Sequence, residues 1–128
     1  STYFGLGADK AESWIVLGDL SALYDLSAPW ILEQLPPGNR RIVVINNGGG
    51  QIFSRVKSLQ SLDVSTRSWI INPHQHRFEA WASMWNCAYR AARRPEELQN
   101  LPGGPVIIEI LPEAEQTTAF WKSWLEAT

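Results

Sequence analysis

The sequence contains little cysteine and no strong excess of charge of either sign. Cys87 is the single cysteine among 128 residues, which excludes an internal disulfide and a metal site built on several thiolates. Eleven Lys and Arg against thirteen Asp and Glu give a formal charge of −2, without the basic excess typical of a general nucleic-acid binder. We therefore expect no nucleic-acid partner, and we expect Cys87 to be a small core residue.

Long hydrophobic runs are also missing. No apolar stretch approaches the roughly 18 residues of a membrane span, and the N-terminus lacks the basic and then apolar segments of a signal peptide. We therefore predict a cytoplasmic protein without a membrane span. The opening Ser1–Gly7 has no Met and resembles the end of a helix, so we expect residues 1–128 to be a single domain and a fragment of a longer polypeptide.

Short apolar runs, by contrast, are present and predict strands. Three of them, Trp14–Leu17, Arg41–Ile45 and Val106–Leu111, are typical of parallel strands that are buried on both faces. Helical spacing of apolar residues predicts a helix around Ile31–Leu35 and therefore a right-handed strand-helix-strand unit.

Further helices are predicted in the second half of the sequence. A long apolar stripe runs from Phe78 to Ala92, a short helix begins at Pro95, and a last helix covers residues 113–127. Together with the apolar runs, these helices predict an α/β fold of three layers, in which helices cover a mostly parallel sheet.

Polar segments follow the first two predicted strands, namely Gly18-Asp19 and Asn46-Asn47-Gly48-Gly49-Gly50. The carboxyl ends of parallel strands lie together and are where ligands bind, so Asp19 and Asn47 can be neighbours. Carboxylate, amide and carbonyl oxygens suit Mg²⁺ and leave coordination positions for phosphate oxygens. The pair therefore suggests a metal-bound diphosphate, although each segment alone is also an ordinary turn or cap sequence.

The spacing of these segments resembles the thiamine-diphosphate fingerprint, in which Gly-Asp is followed by about twenty-five residues and then Asn-Asn. More narrowly, residues 18–26 (GDLSALYDL) and 46–54 (NNGGGQIFS) resemble the MenD family of 2-succinyl-5-enolpyruvyl-6-hydroxy-3-cyclohexene-1-carboxylate synthases. Leu20 replaces the more usual third-position glycine, as in that branch. With lower specificity, the resemblance extends through Phe78-Glu79 and the last strand to the C-terminal helix.

This resemblance implies the C-terminal thiamine-diphosphate-binding domain of a longer transferase. Such an enzyme decarboxylates 2-oxoglutarate and adds the succinic semialdehyde unit to isochorismate, in menaquinone or phylloquinone biosynthesis. The family implies that Mg²⁺ or Mn²⁺ is held by Asp19, Asn47 and the Gly49 carbonyl. It implies cofactor contacts from Gly18, Asp19, Leu20, Ser21, Asn47, Gly49, Gln51 and Ile52. It places the substrate beside Ile52, Phe53 and Val56.

The resemblance also implies partners for this chain. The catalytic glutamate of the family belongs to an N-terminal domain of the facing subunit in a homo-oligomer, so we expect no catalytic residue here and no turnover by the chain alone. Two alternatives stay open. One is a different thiamine-diphosphate carboligase, of the acetolactate type, and the other is a non-catalytic domain that keeps the fold.

Three other groups of residues are candidate sites. His74 and His76 can point the same way as two metal ligands, but no third ligand is visible nearby, which favours a loop that meets solvent. Ser21 lacks a nucleophile-elbow sequence and a nearby histidine base. Ile52 and Phe53 directly follow the glycines, so they either line a pocket or pack into the core, and the resemblance favours the pocket.

Overall fold

The chain folds into helices and strands that alternate along most of its length. The computed structural model describes residues 2–127, so Ser1 and Thr128, the ends of the predicted domain, lie outside the described residues. No helix within residues 2–127 is long and apolar enough to cross a bilayer. In chain order the elements are α1 (Thr2–Leu6), β1 (Glu12–Gly18), α2 (Asp19–Tyr24), β2 (Asn39–Ile45), α3 (Lys57–Gln60), α4 (Val64–Ile71), α5 (Glu79–Met84), β3 (Ala88–Ala92), β4 (Val106–Ile110) and α6 (Ala114–Glu126).

The four strands form one parallel sheet in the order β1-β2-β4-β3. In its register, Gly18 of β1 pairs with Ile45 of β2, and Ile110 of β4 pairs with both Ile45 and Ala92 of β3. The carboxyl ends of the strands are therefore level, so the residues that follow them meet at one end of the sheet. The predicted α/β fold class is confirmed.

The core lies on the two central strands and the segment that leads into α5. Val44 and Ile107 are fully buried, and the rings of Phe78 and Trp81 pack edge to face with centroids 5.7 Å apart. Cys87 is buried in the same cluster, and burial raises the pKa of its thiol to about 11. The prediction that Cys87 is a core residue is therefore confirmed.

The prediction that β1 is buried on both faces is wrong. Ile15 and Leu17 pack against the core, whereas Trp14 is 55% exposed and Val16 is 63% exposed. The reason is position, because β1 is an edge strand that the described elements cover on one face only. β2, in the middle of the sheet, is mostly buried as predicted.

The prediction of one helix from Phe78 to Ala92 is also wrong. α5 ends at Met84, Asn86 adopts a left-handed backbone with φ 52°, and residues 88–92 form β3 beside β4. A residue in this conformation ends a helix because the helical hydrogen bonds cannot continue past it. The prediction failed because apolar residues of a short helix and of the strand that follows it together have the spacing of one long helix.

The other predicted helices are close to the observed ones. The segment around Ile31–Leu35 belongs to a 3-10 helix, Ala28–Gln34, rather than to an α-helix. Pro95–Leu98 forms a second 3-10 helix with proline in its first turn, as predicted. α6 matches the predicted last helix to within one residue at each end.

Two arginines are buried at the amino end of β2. Arg40 is 2% exposed and donates to the carbonyl oxygens of Lys10 at 2.6 Å and Ala8 at 3.2 Å. Arg41 is 5% exposed and donates to the carbonyl oxygens of Pro102 at 2.7 Å and Gly104 at 3.2 Å. Together with a bond from Arg40 to the Pro36 carbonyl oxygen at 3.4 Å, these bonds connect the loops before β1, β2 and β4 to the sheet.

Candidate functional site

Asp19 lies at the junction of β1 and α2 and is 3% exposed. Its Oδ1 accepts a hydrogen bond from the backbone N–H of Leu20 at 2.7 Å. Its Oδ2 accepts from the backbone N–H groups of Gly48 at 2.8 Å and Gly49 at 2.9 Å. The structure therefore brings together the two polar segments that the sequence predicted to be neighbours.

The glycine loop after β2 has a backbone that only glycine tolerates. Gly49 has φ 125°, and a Cβ there would lie 2.7 Å from the carbonyl oxygen of Asn72 and 2.8 Å from that of Ile71. The Gly50 N–H donates to the Ile71 carbonyl oxygen at 2.6 Å, and the His74 N–H donates to the Gly48 carbonyl oxygen at 3.2 Å. The loop is thus held between the Asp19 carboxylate and residues 71–74.

The remaining candidate metal ligands lie on this loop. The Asn47 side chain is exposed, and the Gly49 carbonyl oxygen accepts from the Gln51 N–H at 2.8 Å. Among residues 2–127, no cluster of three or more His, Cys, Asp or Glu could hold a metal. The donor set here is instead one carboxylate, one amide and backbone carbonyls, which are the hard oxygen ligands that Mg²⁺ accepts. By the chemistry of their oxygen donors, these residues could hold a divalent cation.

His74 lies against the Asp19 carboxylate. Its side chain is 7% exposed, and its Nε2 is 3.3 Å from Asp19 Oδ2. The direction of this contact is not that of a hydrogen bond, and Nε2 has no other partner. His76 is exposed and stacks on His74 with ring centroids 5.3 Å apart. The site therefore contains a buried polar atom whose hydrogen-bonding capacity is unused.

A second buried carboxylate, Glu109 of β4, is hydrogen-bonded to Asn46, which precedes the glycine loop. It is fully buried and accepts from Asn46 Nδ2 at 2.5 Å, from Arg77 Nε at 2.9 Å and from the Phe78 N–H at 3.3 Å. The Tyr89 hydroxyl also donates to it. Asn46 Nδ2 also donates to the His76 carbonyl at 2.8 Å, so Glu109 connects the start of the loop to the segment before α5.

The hydrogen bonds to Glu109 decide its protonation state. Burial raises the pKa of Glu109, but hydrogen bonds from Tyr89, Asn46 and Arg77 outweigh burial and hold the pKa below its ordinary value. The hydrogen bond to Glu109 raises the pKa of Arg77, and burial together with Glu109 raises that of Tyr89. Glu109 is therefore ionised at neutral pH and paired with Arg77.

Three apolar residues follow the glycine loop. Ile52 and Phe53 are on the 3-10 helix Gln51–Arg55, and Val56 comes directly after it. Ile52 is 72% exposed, Phe53 is 42% exposed and Val56 is 39% exposed. The Phe53 ring lies against the loop, because a Cβ on Gly50 would be 2.8 Å from Phe53 Cδ2. These side chains are surface residues beside the loop and not members of the core.

The remaining predicted contact residues flank Asp19 and the loop. Gly18 and Ser21 are exposed and Leu20 is partly buried at the start of α2, while Gln51 is partly buried where the loop ends. The Leu20 N–H is already bonded to Asp19.

Sequence reasoning missed Glu109 and Asn46. For His74 and His76 it favoured a loop that meets solvent over a pair of metal ligands, which is wrong for His74, because its side chain is 7% exposed, and agrees with the exposed His76. A usable signal for Glu109 was present, since a single carboxylate inside the apolar run Val106–Ile110 must find partners when buried. No comparable signal marked His74, because its contact with Asp19 depends on how residues 71–74 cross the glycine loop.

Comparison with known proteins identifies the family. No family model matches the chain. A 2-succinyl-5-enolpyruvyl-6-hydroxy-3-cyclohexene-1-carboxylate synthase of Bdellovibrio bacteriovorus is 43% identical over 126 residues, which is 97% of this chain and 22% of that protein. Enzymes of the same name from Akkermansia muciniphila and Bacteroides thetaiotaomicron are 36% identical over 91% of the chain and 37% identical over 74% of it.

The matches cover only part of each relative. They span 23% of the Akkermansia enzyme and 16% of the Bacteroides enzyme, so the chain spans about a fifth of the length of the relatives it matches. They include both the Asp19 segment and the glycine loop in the relative that aligns over 97% of the chain. The chain belongs to the MenD family of 2-succinyl-5-enolpyruvyl-6-hydroxy-3-cyclohexene-1-carboxylate synthases.

Proposed function

We propose that this chain is the C-terminal cofactor-binding domain of a thiamine-diphosphate-dependent carboligase. The full enzyme is a cytoplasmic transferase that decarboxylates 2-oxoglutarate and adds the resulting succinic semialdehyde unit to isochorismate, in menaquinone or phylloquinone biosynthesis. The observation that carries the proposal is the contact of Asp19 with the Gly48-Gly49 backbone, at 2.8 and 2.9 Å, in a chain of this family.

The metal is assigned to the hard oxygen donors at the carboxyl ends of β1 and β2. Asp19, the Asn47 amide oxygen and the Gly49 carbonyl would hold Mg²⁺ or Mn²⁺, which would supply the positive charge that a diphosphate needs there. A diphosphate and a carboxylate repel each other unless a cation offsets their charges. The burial of Asp19 supports this assignment, because a carboxylate fixed by three N–H groups is oriented before a ligand arrives.

The other predicted contact residues surround this position. Gly18, Leu20, Ser21, Gln51 and Ile52 contact the cofactor from the start of α2 and from the end of the glycine loop. Exposed apolar side chains next to a polar loop are typical of a surface that another molecule covers. Their exposure supports substrate contacts by Ile52, Phe53 and Val56.

The cofactor and a residue outside this chain also take part in the proposed reaction. When bound, thiamine diphosphate supplies the electron sink that stabilises a carbanion equivalent, and the protein supplies position and charge. The residues of this chain would hold the cation that offsets the charge of the diphosphate. We assign the activating glutamate to the N-terminal domain of a facing subunit in a homo-oligomer, so the 128-residue chain alone does not turn over.

The test measures binding and activity in the full-length polypeptide that contains this chain. Calorimetry should show thiamine diphosphate binding with Mg²⁺ or Mn²⁺ and none with excess EDTA. The enzyme should convert 2-oxoglutarate and isochorismate. Turnover of pyruvate to acetolactate instead would favour the acetolactate-type alternative, and the absence of metal-dependent binding would favour a non-catalytic domain.

A further inference from the structure

We propose that His74 is a positioning residue for the Asp19 carboxylate, with Nε2–H as the donor. This inference rests on the proposed function, because Asp19 is the metal ligand there. His74 is in the segment between α4 and α5, far from either fingerprint in sequence, yet its Nε2 is 3.3 Å from Asp19 Oδ2. The side chain is 7% exposed, so solvent does not satisfy this atom.

The other ring nitrogen identifies the tautomer. His74 Nδ1 is 3.2 Å from the backbone nitrogen of His76 and accepts a hydrogen bond from its N–H. An acceptor nitrogen carries no proton, so in the neutral ring the proton is on Nε2. Nε2 is therefore a donor that lies 3.3 Å from a carboxylate oxygen, and it has no lone pair to offer a metal. This geometry argues against the hypothesis that His74 and His76 are metal ligands.

His74 contacts both halves of the site. Its backbone N–H donates to the Gly48 carbonyl oxygen at 3.2 Å, and its ring lies on the carboxylate that binds the Gly48 and Gly49 N–H groups. The ring and the backbone of His74 therefore contact the carboxylate and the glycine loop that this carboxylate binds. Groups that donate to a ligating carboxylate fix its orientation, and their loss typically weakens metal binding about 10 to 100-fold.

The chain offers a donor-removing variant, a donor-keeping variant and a neighbouring control. His74→Leu removes the donor at similar volume, and His74→Gln keeps an N–H donor on a flexible side chain. His76→Gln changes the adjacent exposed ring and leaves its backbone N–H in place. Each variant is made in the full-length polypeptide. Thiamine diphosphate affinity is titrated at fixed Mg²⁺, the Mg²⁺ midpoint is titrated at fixed thiamine diphosphate, and the melting temperature is measured without either ligand.

The proposal predicts a specific order of affinities. His74→Leu should weaken thiamine diphosphate binding and shift the Mg²⁺ midpoint by about 10-fold, whereas His74→Gln should recover most of that loss. His76→Gln should bind like the wild type. Rescue by glutamine distinguishes a hydrogen-bond donor from a ring that only fills space. If the role of His74 is purely structural, the affinity of each variant should change with its melting temperature and not with the presence of an N–H donor.

Three outcomes contradict the inference. Wild-type affinity in His74→Leu overturns it, and so does equal weakening by leucine and glutamine. A wild type that binds no thiamine diphosphate with Mg²⁺ overturns the proposed function and the inference with it. Metal-dependent binding by the wild type together with an unaffected His74→Leu overturns the role of His74 alone.

Discussion

The two ends of the sheet bury charges of opposite sign. At the amino end, Arg40 and Arg41 are at most 5% exposed and donate to backbone carbonyls. At the carboxyl end, Asp19 and Glu109 are at most 3% exposed and accept from N–H and O–H groups. Buried charge with hydrogen-bonded partners is therefore common to both ends, and by itself it marks no binding site.

The surroundings of the charges separate the two ends. The arginines donate hydrogen bonds to the loops before the strands. Two of those loops contain prolines that restrict the backbone, namely Pro36-Pro37 and Pro102. Asp19 instead binds a glycine loop in which Gly48 and Gly49 have positive φ, and this loop lies beside the exposed Asn47. The buried arginines therefore bind backbone carbonyls of the loops before the strands, whereas Asp19 binds the backbone N–H groups of the glycine loop, where we propose the ligand site.

The largest expected effect is on ligand binding at the carboxyl end. Asp19→Ala should weaken metal-dependent thiamine diphosphate binding by more than about 100-fold, since loss of outer-shell partners alone costs about 10 to 100-fold. Calorimetry of the full-length polypeptide with excess Mg²⁺ measures this. Arg41→Met, at the amino end, is the matched control and should retain affinity in the protein that remains folded. Equal affinity in Asp19→Ala and the wild type would refute the metal assignment.

The second effect is on stability at the amino end. Arg40→Met should lower the free energy of unfolding by about 2 to 4 kcal/mol, because the carbonyls of Lys10 and Ala8 lose a charged donor in a buried position. Urea denaturation measures this. Lys10→Met removes a cation that is 61% exposed and should stay within about 0.5 kcal/mol of the wild type. A ligand affinity that falls in Arg40→Met without a loss of stability would break the comparison.

The third effect is the pH dependence of stability contributed by Glu109. Its pKa in the folded chain is lowered, because hydrogen bonds outweigh burial. The stabilisation is therefore complete above the ordinary glutamate pKa of about 4.3 and is lost as pH falls through that value toward the folded pKa. Urea midpoints of the wild type should fall between about pH 5.5 and pH 3.5.

Glu109→Gln provides the reference for this effect. Its midpoint should be lower at neutral pH, because Arg77 and Tyr89 lose their ionised partner, and its decline on acidification should be shallower. The matched change Glu97→Gln removes a carboxylate of the 3-10 helix Pro95–Leu98 that accepts from the Arg93 and Arg94 N–H groups. It should change the midpoint less than Glu109→Gln, because the Glu97 side chain is 36% exposed. Parallel pH profiles for the wild type and Glu109→Gln would show that Glu109 contributes nothing to the acid sensitivity.

The sequence predicted those parts of the fold that local pattern determines. The runs at Trp14–Leu17, Arg41–Ile45 and Val106–Leu111 became β1, β2 and β4, because continuous apolar runs of that length favour strands, although only β2 and β4 lie inside the sheet. β3 was missed because Ala88–Ala92 has no such run and continues the spacing of the helix before it. Asn86 was the available sign of a break, since asparagine tolerates the left-handed backbone that ends a helix.

The site divides in the same way. Asp19 and the glycine loop were predictable, because each follows an apolar strand directly and parallel register aligns the two ends. Glu109 and His74 reach the site from β4 and from the segment before α5, so their roles depend on strand order and on the path of residues 71–78. Contacts of this kind are set by tertiary packing, which no local spacing encodes.

The smallest expected effect on stability is that of Phe53. It is 42% exposed on the 3-10 helix after the glycine loop, so Phe53→Ala should lower the free energy of unfolding by less than about 1 kcal/mol. Phe78→Ala is the matched control, because Phe78 is 1% exposed and truncation of a core phenylalanine costs about 3 to 5 kcal/mol.

The kinetic effect of Phe53→Ala distinguishes a substrate surface from an ordinary surface residue. If Phe53 faces substrate in the full-length enzyme, the variant should keep its melting temperature and its thiamine diphosphate affinity, yet raise the KM for isochorismate or lower kcat. Thermal unfolding, calorimetry and steady-state kinetics on one preparation measure all of these. A large fall in melting temperature with unchanged kinetics would assign Phe53 to the core, and unchanged values throughout would remove it from the substrate surface at the carboxyl end.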